Sequence, residues 1–378
     1  MYSVSGYAAM INDVRRVEAY QRALQLSITR DSVVIDIGTG LGIFAFLACQ
    51  AGARKVYAIE PDEVIVVARE LAAANGYQER IDFIQDISTR VTLSEQADVI
   101  VSDLGGAIPL FQQHLPSIID ARKRFLRPQG VLIPKSDTLW AAVVNVPAAH
   151  AKIVPSSDRA LGLDMRLAWE MSSNGTANKR FTEEQLVTAP QRLAVLDYSE
   201  ITEPDFHTQV KWEVIRPGQG HGIILWFDRT LAEGVCFSTA PGEPEMVYGG
   251  LFFPWPESVE LNPDDTIQLK IRGDLRSEEY IWSWNTTVCR PNQVNQTFRQ
   301  SNFFGEPRSL DRLRKQSTTH VPRLTEDGEI NAFILGRMNG KNAIEEIARE
   351  VLQHFPTRFP TLERAIGHTV KMSRDYSL

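Results

Sequence analysis

The chain has 378 residues, of which 43% are hydrophobic and 23% are charged, a composition typical of globular domains. This length predicts two or three domains. The net charge of -7 argues against nucleic-acid binding as the main activity, and no apolar run is long enough to span a membrane.

The three cysteines are far apart and match no metal-binding or redox spacing, so we predict no metal site. They are Cys49, Cys236 and Cys289. Near the N-terminus, Asp13, Arg15 and Arg16 lie where a secretory signal would be apolar. We therefore expect inert thiols in a reducing, cytoplasmic environment.

Helical and parallel-strand patterns alternate in the first third of the chain. Residues 1–30 are predicted to be helical, because Met10, Val14 and Val17 recur near helical spacing. Between residues 31 and 135 we predict five strands separated by helices, which are typical of a Rossmann-like domain with a parallel sheet. The predicted strands are Val33–Ile37, Val56–Ile59, Ile81–Ile84, Val99–Ser102 and Val131–Ile133.

A glycine-rich turn follows the first of these strands and reads Asp36-x-Gly38-x-Gly40-x-Gly42. Glu60 ends the second strand, 18 residues after Gly42. Glycines let the backbone approach a ligand closely, and a carboxylate there can accept hydrogen bonds from ribose hydroxyls. Asp36 would repel a pyrophosphate but attract a sulfonium or amino group. The pattern thus predicts S-adenosylmethionine (SAM) as cofactor rather than NAD.

Residues 136–291 carry short strand patterns between Pro, Gly and Asp clusters, which indicate an antiparallel β-barrel or sandwich. The predicted strands are Leu139–Val146, Gln209–Val214, Gly222–Phe227, Val235–Ser238 and Thr266–Ile271. Residues 165–195 are polar and poor in strand signals. They are predicted to be either a loop or a protruding arm.

The last part of the chain is predicted to be a linker, 292–320, and a small helical module, 321–378. Within the module, Glu329–Leu335 is predicted as a strand. Asn342 with Glu345 resembles a helix capping box, and a second helix is predicted from Thr361 to Met372.

The first 290 residues or so resemble protein arginine methyltransferases. The segment Met10-Ile-Asn-Asp-Val-Arg-Arg16-Val-Glu-Ala-Tyr20 matches that family's opening helix, M-L-x-D-x-x-R-x-x-x-Y. The resemblance implies that Arg16 pairs with the carboxylate of the methionine moiety of SAM, and that Met10 packs near the sulfonium. A bidentate contact between guanidinium and carboxylate is a strong anchor.

The β region carries the resemblance further. Leu161-Gly-Leu-Asp-Met165 and Phe237-Ser-Thr-Ala-Pro241 are similar to sequences of the family's barrel. By this resemblance, residues 165–195 are the arm through which these enzymes form head-to-tail homodimers.

The loop after the fourth strand departs from the family. Arginine methyltransferases carry S-E-W-M-G-Y and a second Glu, and the two carboxylates hold the substrate guanidinium. Here Asp103 and Gln112 stand at those places, and the T-H-W loop matches Met246-Val-Tyr248, which lacks His. A guanidinium cation needs paired carboxylates, so we expect an acceptor other than arginine.

Two further residues complete the predicted SAM site, and two form the predicted catalytic site. Asp86 and its neighbour Ile87 follow the third strand and are assigned to the adenine, whose amino group Asp86 would contact. Asp103 is predicted to orient or deprotonate the acceptor. Gln112 is predicted to hydrogen-bond a neutral acceptor such as an amide, hydroxyl, imidazole or carboxylic group.

The run from Glu329 to Ala348 resembles the PqqD-like winged-helix module, which binds leader peptides of ribosomally made natural products by strand addition. The alternative is a helical cap on the barrel. Three functions follow as hypotheses: a methyltransferase that acts on a peptide or protein, such as a natural-product precursor; a methyltransferase that acts on a small or carrier-bound molecule; and a SAM-binding scaffold without activity.

Overall fold

The computed structural model describes residues 4–155, 157–291 and 293–377. The chain divides into two units, Met1–Glu306 and Pro307–Leu378. The larger unit contains a parallel-sheet domain followed by an antiparallel β domain. The smaller unit is helical.

The N-terminal segment contains two helices, α1 (Val4–Ile11) and α2 (Val14–Ser27), and not one. The break has a local cause, because the carboxylate of Asp13 accepts a hydrogen bond from the Arg16 N–H at 3.3 Å and caps α2. An Asp at this position satisfies one of the free N–H groups at the start of a helix.

The parallel-sheet domain has the predicted alternation of strands and helices. Its elements are β1 (Val33–Ile37), α3 (Ile43–Ala51), β2 (Lys55–Ile59), α4 (Ile65–Ala74), β3 (Ile81–Ile84), β4 (Ala97–Ser102), α5 (His114–Arg124) and β5 (Leu126–Ile133). The sheet order is β3-β2-β1-β4-β5, and every pair is parallel. The order reverses between β1 and β4, and ligands bind outside the carboxyl ends of strands at such a point. The predicted Rossmann-like domain is confirmed.

The antiparallel domain contains two main sheets, β10-β6-β12-β14-β9 and β11-β15-β16-β17, with β13 paired to β12. Its elements are β6 (Ser136–Val144), α6 (Pro147–His150), β7 (Arg159–Ala160), β8 (Leu163–Asp164), α7 (Arg166–Ser173), β9 (Ala177–Lys179), β10 (Gln191–Asp197), β11 (Phe206–Glu213), β12 (Gly218–Ala232), β13 (Val235–Ser238), β14 (Gly250–Leu261), β15 (Thr266–Arg276), β16 (Glu279–Cys289), β17 (Gln296–Ser301) and α8 (Asn302–Gly305). Fully buried Trp212, Trp255 and Trp284 lie in its core. The predicted barrel-like domain is confirmed.

The predicted arm, 165–195, is misplaced. Its second half belongs to the large sheet, because β9 pairs with β14 and β10 pairs with β6. Exposed leucines lie just before it, in the β7–β8 hairpin, and at its start, in α7. There Leu161 is fully exposed, and Leu163 and Leu167 are 66% and 71% exposed.

The predicted linker, 292–320, is also wrong in its first part. Gln296–Ser301 forms β17, which pairs with β16 and buries Phe298 opposite Thr286. The sequence of this strand is mostly polar and gives no strand pattern. Its extended conformation is stabilised by the backbone hydrogen bonds to β16. The boundary between the units falls after Glu306.

The C-terminal unit consists of helices α9 (Leu310–Lys315), α10 (Glu326–Leu335), α11 (Ile344–His354) and α12 (Leu362–Tyr376). Its core is formed by eight buried residues: Ile330, Ile334, Ile347, Ala348, Val351, Phe359, Ala365 and Met372. No strand occurs among its described residues, 307–377. The unit therefore lacks the sheet that a winged helix would have.

The predicted strand Glu329–Leu335 is wrong because this segment belongs to α10. The Thr325 hydroxyl accepts the Gly328 N–H at 3.2 Å and caps the helix, and Ile330 and Ile334 pack inward one turn apart. The predicted capping box of Asn342 and Glu345 is replaced by half of such a motif one residue later, since the carboxylate of Glu346 accepts the N–H of Ala343 at 2.8 Å and Ala343 has no side-chain acceptor.

In the part of the chain that the structure describes, no helix combines the length and apolar character needed to cross a membrane.

Candidate functional site

The loop from Gly38 to Gly42 joins β1 to α3 and depends on its three glycines. Gly38, Gly40 and Gly42 have φ angles of 74°, 53° and 89°, in the left-handed region that favours glycine. A Cβ atom on Gly40 would lie 2.5 Å from Cε1 of Tyr7. The Tyr7 ring of α1 therefore covers the loop closely, and a larger residue at position 40 would displace that ring.

Asp36 is fully buried beside this loop. Its Oδ2 accepts hydrogen bonds from the Thr39 hydroxyl at 2.6 Å and the Ala45 N–H at 3.1 Å, whereas Oδ1 has no partner. Burial raises the pKa of Asp36 to about 7, against the opposing effect of the two hydrogen bonds. The free oxygen is suited to a donor or a cation.

Glu60 follows β2 and is only 7% exposed. Its Oε2 accepts the Gly40 N–H and its Oε1 accepts the Asp62 N–H, each at 3.0 Å. Burial raises the pKa of Glu60 despite these bonds. Each carboxylate oxygen accepts about two hydrogen bonds, so each retains capacity for a ribose hydroxyl. Glu60 thus holds the glycine loop, and its contact with a ribose stays a prediction.

Asp86 and Ile87 follow β3 at the same edge of the sheet. Asp86 is partly buried and accepts the Ile87 N–H at 2.7 Å, and Ile87 is 42% exposed. The Glu60 N–H donates to Ile84 O at 3.1 Å, which ties the ends of β2 and β3 together. The structure therefore brings the predicted acids Asp36, Glu60, Asp86 and Asp103 to the carboxyl ends of adjacent parallel strands.

Arg16 extends from α2 and is 3% exposed. Its Nη1 donates to the carboxylate of Asp103, its Nη2 donates to the Met10 carbonyl at 2.8 Å, and its Nε has no partner. Burial is the largest single effect and opposes the charge, but the Asp103 carboxylate together with the Tyr248 and Tyr20 hydroxyls outweighs it and raises the pKa of Arg16. Met10 contacts Arg16 through its backbone carbonyl. The packing of the Met10 side chain against a sulfonium stays a prediction.

The unpartnered atoms match the amino-acid part of SAM. The free Oδ1 of Asp36 can accept from a cationic group, and the free Nε of Arg16 can donate to a carboxylate. Both side chains are buried. Glu60 lies at the same carboxyl edge of the parallel sheet, where it can accept hydrogen bonds from ribose hydroxyls. The residues present therefore fit this cofactor. Elsewhere in the described ranges, no group of three or more His, Cys, Asp or Glu side chains is arranged to hold a metal ion.

Both carboxylate oxygens of Asp103 accept hydrogen bonds from side chains of the chain itself. Its Oδ1 accepts from Arg229 Nη1 at 2.7 Å, and its Oδ2 accepts from both Arg16 and the Tyr248 hydroxyl, the latter at 2.5 Å. Burial alone would raise the pKa of Asp103, but the charges of Arg16 and Arg229 outweigh burial and lower it. Asp103 is therefore a firmly ionised carboxylate surrounded by donors of the chain itself.

Gln112 does not join Asp103 in this buried surrounding. It is exposed and has a φ of 41°, in the loop that precedes α5. The neighbouring Gln113 side chain donates to the Ser277 carbonyl and holds this end of the loop against the barrel. The two residues predicted to be catalytic thus occupy different environments.

Arg229 was not predicted as a site residue and is central to it. It lies on β12, fully buried, with its Nε and Nη2 donating to Asp137 Oδ1 at 2.8 Å and Oδ2 at 2.7 Å. Its Nη1 also donates to the Tyr20 hydroxyl at 3.1 Å. The sequence does contain a signal for it. Arg229 alternates with Phe227 and Leu231 along an apolar strand, which places a charged residue at an inward-facing position.

We call Arg16, Asp103, Arg229 and Asp137 the buried charge cluster. It contains two cations and two anions, and Asp137 and Arg229 are completely inaccessible. At its far end Asp137 accepts the Tyr198 hydroxyl at 2.5 Å, and that hydroxyl contacts His114 Nε2 at 3.0 Å. Burial lowers the pKa of His114 to about 4, so this imidazole is neutral.

Two family comparisons agree with this arrangement. Residues 18–137 match the family described as ribosomal protein L11 methyltransferase, and residues 136–287 match the arginine methyltransferase oligomerization subdomain. By its fold and these two matches, the chain is similar to SAM-dependent methyltransferases. More particularly, it resembles the arginine methyltransferases in having a parallel-sheet domain followed by a barrel-like domain.

Individual relatives carry related names. The probable protein arginine N-methyltransferase 6 of Arabidopsis thaliana is 30% identical over 228 residues, covering 58% of this chain and 52% of that protein. The chain therefore spans about half the length of that relative. Protein arginine N-methyltransferase 6 of Xenopus tropicalis is 27% identical over 286 residues, covering 72% of this chain and 83% of that protein.

A solved structure shows the same fold. The Trypanosoma brucei PRMT1 enzyme-prozyme heterotetrameric complex with AdoHcy aligns with a TM-score of 0.71 and 21% sequence identity. The alignment covers 78% of this chain and 97% of the matched chain.

Proposed function

We propose that the chain transfers a methyl group from SAM to a peptide or protein acceptor that is not an arginine guanidinium. The observation that carries this proposal is the occupancy of Asp103. Both of its oxygens accept hydrogen bonds from the chain's own Arg16, Arg229 and Tyr248. The second position of the loop is the uncharged, exposed Gln112.

When bound, SAM supplies a methyl group on an activated sulfonium leaving group. Glu60 would hold the ribose, Asp86 and Ile87 would line the adenine position, and Arg16 and Asp36 would hold the amino-acid part. Asp103 would orient the acceptor rather than deprotonate it, because its lowered pKa makes it a weak base. Much of the catalysis would then come from positioning and from exclusion of water.

A peptide or protein acceptor is supported by the relatives, which are named protein arginine N-methyltransferases. The exclusion of arginine rests on the surroundings of Asp103 and on Gln112, and not on those names. We further propose that the C-terminal unit recruits the substrate through its helices, since the predicted recruiting strand is helical. A homodimer is supported by the matched oligomerization subdomain and by the exposed apolar hairpin around Leu161.

Transfer can be tested with isotopically labelled SAM and peptides that differ at one central residue, which is Arg, Lys, His, Asn, Gln, Ser or Asp. We expect label in peptides with uncharged or acidic residues at this position, and little or none in the arginine peptide. An arginine peptide that proves the best substrate would contradict the proposal.

A second candidate function, a SAM-binding scaffold without activity, is favoured by the same occupancy of Asp103. Calorimetry of SAM binding combined with the label-transfer assay separates the two. Tight SAM binding without transfer to any acceptor, including full-length protein substrates, would support the scaffold.

A further inference from the structure

We propose that Arg229 determines which acceptors enter the site. Arg229 extends from the barrel and occupies the position beside the Asp103 carboxylate that an incoming cation would take. It thereby restricts the site to uncharged or anionic acceptors. This inference rests on the proposed function, and it assigns the exclusion of cations to a residue outside the loop that carries Asp103.

The position of Arg229 is fixed from behind. Its Nε and Nη2 form a bidentate pair with Asp137, at 2.8 Å and 2.7 Å. A guanidinium is planar and its donors have a fixed geometry, so this pair also fixes the direction of Nη1. Nη1 then lies 2.7 Å from Asp103 Oδ1 and 3.1 Å from the Tyr20 hydroxyl. Because Arg229 is fully buried, it has no solvent-filled space into which it can move aside.

Asp103 is flanked by guanidinium groups on both sides. Arg229 bonds one carboxylate oxygen, and Arg16 and Tyr248 bond the other. These are the directions from which an incoming guanidinium would form its own paired hydrogen bonds. The release of Arg16 to a cofactor carboxylate would free part of Oδ2, but Oδ1 would stay bonded to Arg229.

The charges lead to the same conclusion. At Asp103 one carboxylate faces two guanidinium groups, those of Arg16 and Arg229, and Asp137 is already paired with Arg229. The single net positive charge of SAM has a counterion in Asp36. A cationic acceptor would bring a third positive group to the one carboxylate of Asp103, and burial of a charge without its own counterion is strongly unfavourable. Removal of Arg229 together with Asp137 would leave only Arg16 beside Asp103, and a cofactor carboxylate can engage Arg16. An uncharged or anionic acceptor avoids this penalty.

Two full-length variants test the role of Arg229. In the first, Arg229→Leu is combined with Asp137→Leu, because replacing both members of a buried pair with apolar residues preserves folding far better than removing one. In the matched control, Arg229→Lys, a cation is retained beside Asp103. Binding is measured with S-adenosylhomocysteine present, using two peptides that differ only by arginine or its uncharged analogue citrulline.

Wild type and Arg229→Lys are expected to bind the arginine peptide no more tightly than the citrulline peptide. The double variant is expected to prefer the arginine peptide by about tenfold or more, as one charge-assisted hydrogen-bond contact gives. Equal binding of both peptides by a double variant that melts cooperatively would overturn the role of Arg229. It would leave the proposed methyl transfer intact, since that is tested separately by label transfer from SAM with the wild-type enzyme.

If the double variant does not fold, Arg229→Ala gives the second measurement. Millimolar methylguanidinium should raise its melting temperature, and urea at the same concentration, which has a similar shape without charge, should not. Equal effects of the two compounds would show that this position is not a guanidinium site, and would overturn the proposal.

Discussion

At the scale of single residues, the site combines two buried carboxylates with opposite tendencies. Burial raises the pKa of Asp36 to about 7, whereas Arg16 and Arg229 lower the pKa of Asp103 despite its burial. Asp103 is therefore ionised throughout the neutral range, while Asp36 titrates within it. The difference follows from their partners, since Asp36 has only hydrogen-bond donors without charge.

Asp36 should make SAM binding depend on pH. Its protonated form predominates below about pH 7, and only its anion attracts the cationic end of the cofactor. Affinity should therefore rise by up to tenfold per pH unit from about pH 5 to pH 7 and then level off. Titration calorimetry across this range measures the effect, and Asp36→Asn should flatten the profile. A wild-type affinity independent of pH would contradict the assignment.

The same shift affects folding in the absence of cofactor. The folded-state pKa of Asp36 lies above its ordinary value of 3.8, so the folded protein retains this proton longer than the unfolded chain. The contribution of Asp36 to stability is fully present below about pH 3.8 and is lost as the pH rises through about 7.

The cofactor half of this site could be predicted because its residues are close in sequence. Asp36, the glycines and Glu60 belong to one strand–turn–helix–strand unit, whose geometry the local pattern specifies. Arg229 and Asp137 could not be predicted in the same way. They meet Asp103 only because the barrel packs against the parallel sheet. A single sequence does not specify which barrel residues come to lie beside which loop of the sheet.

At the scale of elements, the errors share one cause. The strand Gln296–Ser301 has a single apolar residue and therefore gives no strand signal, whereas Glu329–Leu335, within the helix Glu326–Leu335, has consecutive apolar residues that imitate a buried strand. The strand is stabilised by pairing with β16, and the helix by a Thr325 cap and burial of two isoleucines. In both cases tertiary contacts, and not intrinsic propensity, decide the conformation.

The exposed hairpin around Leu161 should mediate self-association. Leu161→Asp with Leu163→Asp should convert a wild-type dimer into monomers, because burial of two leucines at an interface would be replaced by burial of two charges. Asp also tolerates the left-handed φ of 50° at position 161. Light scattering at micromolar concentration measures the change.

The matched control for this variant is Leu310→Asp, at a leucine that is 69% exposed in the C-terminal unit. It should leave the dimer intact. A wild-type protein that is monomeric at this concentration would contradict the assignment of the hairpin to an interface.

At the scale of the whole molecule, cofactor binding and substrate recruitment are assigned to separate units. All residues proposed to hold SAM lie in Met1–Glu306, and the C-terminal unit has its own apolar core. The chain can therefore be divided after Glu306 without cutting a sheet or the core of either unit.

Truncation after Glu306 should leave SAM affinity unchanged and raise the apparent KM for a full-length substrate, with a smaller effect on kcat. Calorimetry and transfer kinetics measure the two quantities. A short peptide substrate provides the control, because its KM should not change. Full efficiency of the truncated enzyme on the full-length substrate would show that the C-terminal unit does not recruit it.

The pairing of Arg229 with Asp137 has a consequence for how acceptor specificity can evolve. A mutation of only one partner leaves an unpaired charge in the interior, at a cost of about 3–5 kcal/mol. Many domains are stable by only about 5–15 kcal/mol, so such an intermediate loses a large share of its stability. A lineage with this cluster can therefore gain or lose arginine specificity only through coordinated substitutions at Asp137 and Arg229, which are far apart in sequence and opposite each other on the paired strands β6 and β12. Mutations in the loop that carries Asp103 and Gln112 would not change acceptor specificity by themselves, because Arg229 would still be bonded to Asp103.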